Sequence, residues 1–297
     1  MLALAVTAIA AGAAYSWAPV RLFALVALGR SPVCPLDRAL ESAVNLRRTI
    51  EIKDRILRSS KLVTTDERGF RLWDTPRGRF WIPQGSDYVL PFNLAEQERG
   101  IYGRDAVELR PGDVVLDCGA NVGVYTRTAL DAGARLVVAI EPAAENLECL
   151  RRNFAAESAA GRVVIYPKGV WDRDDYLTLH VDPHNSAADS FLIERQGSRG
   201  VERVPLTTID KLVAELKLER VDFIKMDIEG AEPRALAGGR ATLARFHPRL
   251  AISAYHAPDH PQSVPRAVRE AWPEYRMICG PCAEANWGVR PDVLLFH

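Results

Sequence analysis

The residues best placed to do chemistry lie where a short apolar run meets a glycine-bearing turn: Val114-Val-Leu-Asp117-Cys-Gly119-Ala120-Asn121-Val-Gly123. A buried strand running through such a turn into a helix lets the backbone approach a ligand, with Gly119 removing the Cβ that would block it. Gly123 lets the following helix pack closely. The next apolar run ends in Glu141-Pro142. An acid at that place suits a ribose diol, because a carboxylate accepts from both hydroxyls. The pattern therefore reads as a nucleoside site.

The turn is not the G-x-G-x-x-G of dinucleotide sites. Asp117 stands two residues before the first glycine. Beside a diphosphate at 4 Å it would repel by up to about 4 kcal/mol at an effective dielectric of 20. S-adenosylmethionine (SAM) carries a sulfonium and an ammonium and no phosphate, so the same carboxylate attracts it. Asp117, Gly119, Ala120, Asn121, Gly123, Glu141 and Pro142 are the expected binding residues. Gly169 and Val170, after the third strand, are expected near the adenine.

A second acidic cluster follows a later apolar run, in Lys225-Met-Asp227-Ile-Glu229-Gly-Ala-Glu232. Asp227 is expected to orient or deprotonate an acceptor. Glu229 has two readings: the same role, or a cap on a helix beginning at Ala231. His256, after the fifth strand, is a candidate base because imidazole titrates near neutrality. With Asp227 and Asp259 it could instead hold a metal, but the spacing matches no ligand motif and no metal is assigned. The Asp/Asn-Pro-Pro-aromatic pattern of amine methylation is absent at Asp227, which favours a hydroxyl acceptor. Residues 185–190 read as a polar loop that either faces the acceptor or is simply solvated. Cys279-Gly-Pro-Cys282 matches a redox C-x-x-C, but it closes a late strand instead of opening a helix, so a turn shaped by Gly and Pro is the expectation. Zinc would need two further ligands, and no second C-x-x-C or His pair stands out.

The elements that must position these groups follow from the pattern of apolar runs. Strands are expected over 114–117, 136–140, 163–166, 221–226 and 250–255. They alternate with helices over 124–132, 145–154, 208–216 and 231–246. Continuous apolar strands separated by helices make a parallel, doubly wound α/β sheet with its ligand beyond the strands' C-terminal ends. Residues 275–279 and 293–296 are expected to form a hairpin at one sheet edge. Ahead of the sheet, 70–73 and 79–82 read as a β-hairpin turning at Asp74–Gly78. A short helix is expected near 94–102, and a longer one from Asp37 to about Ser59. The organisation is then a hydrophobic N-terminal segment (1–29), a helical spacer (30–60), a hairpin-and-helix extension (61–110) and a catalytic domain (111–297).

Residues 1–20 carry no charge and Arg21, Arg30, Arg38, Arg47 and Arg48 follow. That is the length and flank of a membrane anchor leaving the body in the cytoplasm. An Ala-rich helix packed on a soluble cytoplasmic protein and a cleaved signal peptide are the alternatives, the second lacking its basic start. The 297 residues hold 38 basic and 38 acidic side chains. That balance removes the electrostatic footprint of a nucleic-acid binder. Five scattered cysteines do not make a secreted disulfide scaffold, so free thiols in a reducing compartment are expected.

Three stretches together resemble the FkbM family of SAM-dependent methyltransferases: residues 113–123, Ile140-Glu-Pro142 with Asn146 and Asn153, and 222–232, the last being the most specific. The resemblance spans roughly Gly69 to the C-terminus. It implies a class I methyltransferase (Rossmann-like) sheet of seven strands, with the last one or two antiparallel. It also implies SAM as methyl donor and an oxygen acceptor on a saccharide, glycolipid or natural product. The family often carries a Glu near the end of its fifth strand. Ala251-Ile-Ser-Ala-Tyr255-His256 offers none, which leaves the base open and keeps a non-catalytic SAM-binding scaffold as an alternative. A nicotinamide oxidoreductase is the other, disfavoured by Asp117 and the missing third glycine.

Overall fold

The computed structural model describes residues 17–286 and 288–297, with the side chains of 199–202 left aside. Two helices lead, α1 (Ala18–Ala27) and α2 (Leu36–Ser59), then a three-stranded antiparallel sheet of β1 (Lys61–Thr65), β2 (Arg71–Thr75) and β3 (Gly78–Ile82), then α3 (Val89–Arg99). The central unit runs β4 (Val114–Cys118), α4 (Val124–Asp131), β5 (Leu136–Ile140), α5 (Ala144–Asn153), α6 (Ala155–Ala159), β6 (Val163–Tyr166) and β7 (Gly169–Val170). It continues through β8 (Asp175–Val181), β9 (Arg199–Thr207), α7 (Ile209–Glu215), β10 (Phe223–Met226), α8 (Glu232–Ala237), α9 (Arg240–Phe246) and β11 (Arg249–Ser253). The chain ends in α10 (His260–Ala271), β12 (Met277–Cys279), β13 (Cys282–Ala285), β14 (Gly288–Pro291) and β15 (Val293–Phe296).

Seven strands form the main sheet in the order β12-β15-β11-β10-β4-β5-β6. The pairs among β11, β10, β4, β5 and β6 are parallel, and β15 runs antiparallel to both β11 and β12. Their runs are apolar because helices cover both faces: Leu116, Ile140, Ile224 and Ile252 are all buried. Each such side chain contributes about 1.5–3 kcal/mol of burial. The strand order reverses direction of growth at β4 and β10, so their C-terminal ends open the crevice that holds ligands in such sheets.

The expected α/β sheet is present with its seven strands, and several local readings change. The helix expected over 231–246 is two, broken at Gly238-Gly239, where a Cβ on Gly238 would lie 2.1 Å from the Trp171 carbonyl oxygen. β12 and β15 pair antiparallel as expected but are not joined by a turn, since the β13–β14 hairpin is inserted between them and β15 lies inside the sheet. Strands β7, β8 and β9 build a separate small sheet, and α10 follows the loop at His256; neither was read from the sequence.

The hydrophobic segment is corrected in its second half. α1 docks on the protein, with Leu22 and Leu25 buried in the main core and Arg21 bonded to Glu284 through both its Nε (2.7 Å) and Nη2 (2.9 Å). The expected anchor over 1–29 otherwise falls on residues 1–16, outside the described residues. Among the described residues no helix is long and apolar enough to cross a membrane.

The expectation of free thiols is also corrected. Cys34 and Cys282 form a disulfide across 248 residues of chain, tying the start of α2 to β13. Cys279 is a free, buried thiol whose Sγ donates to the Val33 carbonyl at 3.3 Å. The bridge closes a long loop and so restricts the unfolded chain strongly. Cys34→Ala is expected to lower stability by about 2–5 kcal/mol. Urea denaturation reads this, with the reduced parent matching the variant. A parent midpoint indifferent to dithiothreitol would contradict it.

Candidate functional site

The turn after β4 is built on backbone geometry that only small residues supply. Gly119 sits at φ +78°, and a Cβ there would lie 1.9 Å from the Asp227 carbonyl oxygen, so the ends of β4 and β10 touch at this point. Asn121 also takes a left-handed φ of 50°. Gly123 is packed beneath Phe154, 2.1 Å from where its Cβ would be.

Asp117 lies differently from its expected position facing the ligand. It is fully buried, accepts from the Thr126 hydroxyl at 2.7 Å and pairs with Lys225 Nζ at 3.2 Å across the β4–β10 register. It lines neither cavity described below. Lys225 donates to the Gly119 carbonyl at 2.8 Å, so one ammonium fixes both the strand end and the turn. Burial works against the ammonium, yet the Asp117 and Asp227 charges beside it hold its pKa above the ordinary value. Lys225 carried no role in the sequence reading. Its only signal was its place in the run ending at Glu232.

Glu141 ends β5 and is nearly enclosed. Its Oε2 accepts from the Asn121 backbone N–H at 2.8 Å, and its Oε1 from that of Ala143 at 2.9 Å. The Asn121 and Asn146 amides reach the Ser186 carbonyl at 2.9 and 3.0 Å, which draws the 185–190 loop over the turn. Glu141, Pro142, Gly169 and Val170 all line a small cavity of about 50 Å³. Asn146 Nδ2 also donates to Oε1, at 3.4 Å, so of about four lone-pair positions Glu141 keeps one, on Oε2, open toward that cavity. Asn121 Oδ1 is buried there without a partner. These donors and acceptors fit a nucleoside.

A larger cavity of about 310 Å³ adjoins it. Gly119, Asn121, Asp227 and Glu229 line both, so they stand at the junction, while Ala120 lines the larger one. Asp227 Oδ2 accepts from the Tyr102 hydroxyl at 2.8 Å. Its Oδ1 faces His256 Nε2 at 3.5 Å. Burial opposes its charge, but Lys225, His256 and the Tyr102 hydroxyl hold its pKa below the ordinary carboxylate value. Glu229 is held by Arg195 at 2.6 Å and takes a left-handed φ of 53°. It does not cap α8. No side chain does; Glu232 instead ties down the loop ahead of the helix, its two oxygens accepting from the backbone N–H groups of Ile228 at 3.0 Å and Gly230 at 3.1 Å.

His256 sits behind this wall. Its ring bonds Glu232 through Nδ1 at 2.8 Å and faces Glu229 through Nε2 at 3.4 Å. Burial disfavours its charge, but Glu229, Glu232 and Asp227 together push its pKa up to about 10. An imidazolium in this setting braces three carboxylates. Glu232, His256 and His260 offer ligand atoms close enough to share an ion, whereas Asp259 joins no such group among the described residues. Tyr102 and Glu96 also line the larger cavity and were absent from the sequence reading, because α3 and its flanks reach the site only through tertiary packing; Tyr255, after β11, lines it too.

Residues 117–278, more than half of the chain, match the family model described as the methyltransferase FkbM domain. The chain belongs to the FkbM methyltransferase family. Its sheet is accordingly the Rossmann-like methyltransferase fold. It is similar to "31-O-demethyl-FK506 methyltransferase FkbM" of Streptomyces tacrolimicus, 29% identical in an alignment 164 residues long, with 46% of this chain and 63% of that protein covered. It is also similar to "2-O-methyltransferase NoeI" of Sinorhizobium fredii, 27% identical over 205 residues, covering 63% of this chain and 80% of that one. The match thus spans less than two thirds of the first relative. A crystal structure of an FkbM methyltransferase from Methylobacillus flagellatus aligns over 87% of this chain and 61% of its own, at 18% identity and a TM-score of 0.47.

Proposed function

We propose that this chain is a SAM-dependent O-methyltransferase acting on a hydroxyl of a saccharide, glycolipid or natural product. The observation that carries the reading is the pair of joined cavities. One is floored by Glu141, whose open acceptor position suits a ribose hydroxyl, and the other meets it at Asp227 and Glu229. Membership of the FkbM family supports it, as do relatives named for O-methylation. When bound, SAM would supply a methyl carbon already activated by sulfonium.

Asp117 is neutralised by Lys225, so it does not select the ligand's charge. Among the residues lining the larger cavity Asp227 is held charged and the cation, Lys225, is already paired with Asp117, so the lining offers a diphosphate no free counter-charge. Glu141 would hold the ribose, and Gly169-Val170 would flank the base. Asp227, fixed by Tyr102, would orient the acceptor hydroxyl, with His256 and Glu229 holding Asp227 in place. Holding nucleophile, methyl and leaving sulfur in line can account for on the order of 7–11 kcal/mol of barrier.

Calorimetry tests the first half. S-adenosylhomocysteine is expected to bind the full chain and NADH is not; the reverse would overturn the reading. Incubation with methyl-labelled SAM and saccharide and lipid extracts tests the second half. Label is expected in a methyl ether of one of these fractions.

A further inference from the structure

We propose that Glu96, on helix α3 of the N-terminal extension, takes the proton from the acceptor hydroxyl. This rests on the O-methyltransferase reading and names the group that reading lacks.

Most acids and bases around the larger cavity are already engaged. Asp227 accepts from Tyr102 at 2.8 Å, and its other oxygen faces His256. Glu229 is paired with Arg195. His256 is 2% exposed in its side chain, bonds Glu232 and lies behind Asp227 instead of lining the cavity. The fifth strand ends in Ala251–His256 without a carboxylate. Glu96 lines the cavity, and its carboxyl has no hydrogen-bond or ion-pair partner among the described residues.

The helix aims it there. Tyr88, Phe92 and Glu96 fall four residues apart on one face of α3 and its N-cap, and all three line the cavity. Tyr88 and Phe92 stack at 6.2 Å between ring centres, an apolar wall leading to one acid. Three residues beyond Glu96, Arg99 is held by Asn45 at 2.8 Å and by Thr49, which locks α3 onto α2.

The groups facing Glu96 agree with the role. Asp227 from the β10 end and Asp292 from the β14–β15 turn disfavour its charge, while Lys225 from β10 and Arg99 from its own helix favour it. Burial is the largest influence, and together they push its pKa up to about 8. Asp227 is held ionised by the same surroundings. Two carboxyls pushed apart in this way divide the work, one staying charged and one exchanging a proton. In the step itself the hydroxyl O–H bond breaks and its proton passes to a Glu96 oxygen. The oxygen's electron pair forms the new C–O bond as the C–S bond breaks, its pair remaining on sulfur. Glu96 then returns the proton to water.

The test is Glu96→Gln beside the parent full chain. Affinity for S-adenosylhomocysteine is expected to change less than about twofold, since Glu96 lines only the acceptor cavity. Carbon NMR of glutamate-labelled protein is expected to show one side-chain carboxyl titrating near pH 8, absent from the variant. Methyl transfer from labelled SAM to the saccharide and lipid extracts is expected to fall about 10²–10⁴-fold. The parent's rate is expected to rise with pH through about 8, where the carboxylate forms, and the variant's to stay flat; Glu96→Asp is expected to restore part of the rise. Transfer by Glu96→Gln within about threefold of the parent, or a Glu96 carboxyl titrating below pH 5, overturns the proposal and leaves the O-methyltransferase reading standing. A parent that binds S-adenosylhomocysteine yet labels no fraction overturns both.

Discussion

Lys225→Met is expected to lose about 3–5 kcal/mol of stability, the usual cost of stripping one partner from a buried ion pair. The parent ammonium sits 3.2 Å from Asp117, which is fully buried, and 2.8 Å from the Gly119 carbonyl. Methionine fills the same space but leaves the carboxylate facing only the Thr126 hydroxyl. Asp117 would then be expected to bind a proton, so the loss should shrink as pH falls. Urea denaturation at pH 7 and again at pH 5 measures both effects. The double variant Lys225→Met with Asp117→Leu should recover much of the loss, because two apolar residues leave no orphaned charge. A Lys225→Met protein as stable as the parent would show that the pair does not carry the charge balance assigned to it.

Glu141→Ala is expected to weaken binding of S-adenosylhomocysteine by about 10–10²-fold. A hydrogen bond from a ribose hydroxyl to a charged acceptor is worth about 1.5–3 kcal/mol. The substitution also orphans the Asn121 and Ala143 N–H groups that Glu141 now accepts at 2.8 and 2.9 Å. The turn that presents Gly119 and Asn121 would loosen with them. Glu141→Gln separates the two contributions. Its amide oxygen can still accept from one N–H, so the fold should hold while ribose recognition weakens. Calorimetry reads affinity, and thermal unfolding without ligand reads the turn. Full affinity in Glu141→Ala would place the nucleoside elsewhere.

Much of this arrangement was legible from residue order. Strand runs such as 136–140 and 163–166 are apolar throughout because both faces are covered, and their ends were found to the residue. The turn at Gly119 and the acid at Glu141 were legible because backbone approach and diol recognition tolerate few residue types. The role of Asp117 was not legible. A carboxylate at a strand end looks the same in sequence whether it faces a ligand or a lysine more than a hundred residues later in the chain. His256 was read as a base from its ordinary pKa. Three carboxylates of the 227–232 segment, folded against it, make it a cation instead. Cys34 and Cys282 were unpairable by spacing, since nothing local reports a contact across 248 residues.

Residue order alone was enough for the parallel sheet, the glycine turn and the family, because buried strands, tight turns and short acidic runs restrict residue types locally. Which charges cancel and which remain available was settled by folding. Lys225 removes Asp117 from the site, Arg195 engages Glu229, and packing of α2 on α3 brings Glu96 to the cavity wall. Charge state depends on desolvation and on neighbours drawn from distant parts of the chain. Neither exists until the chain has folded.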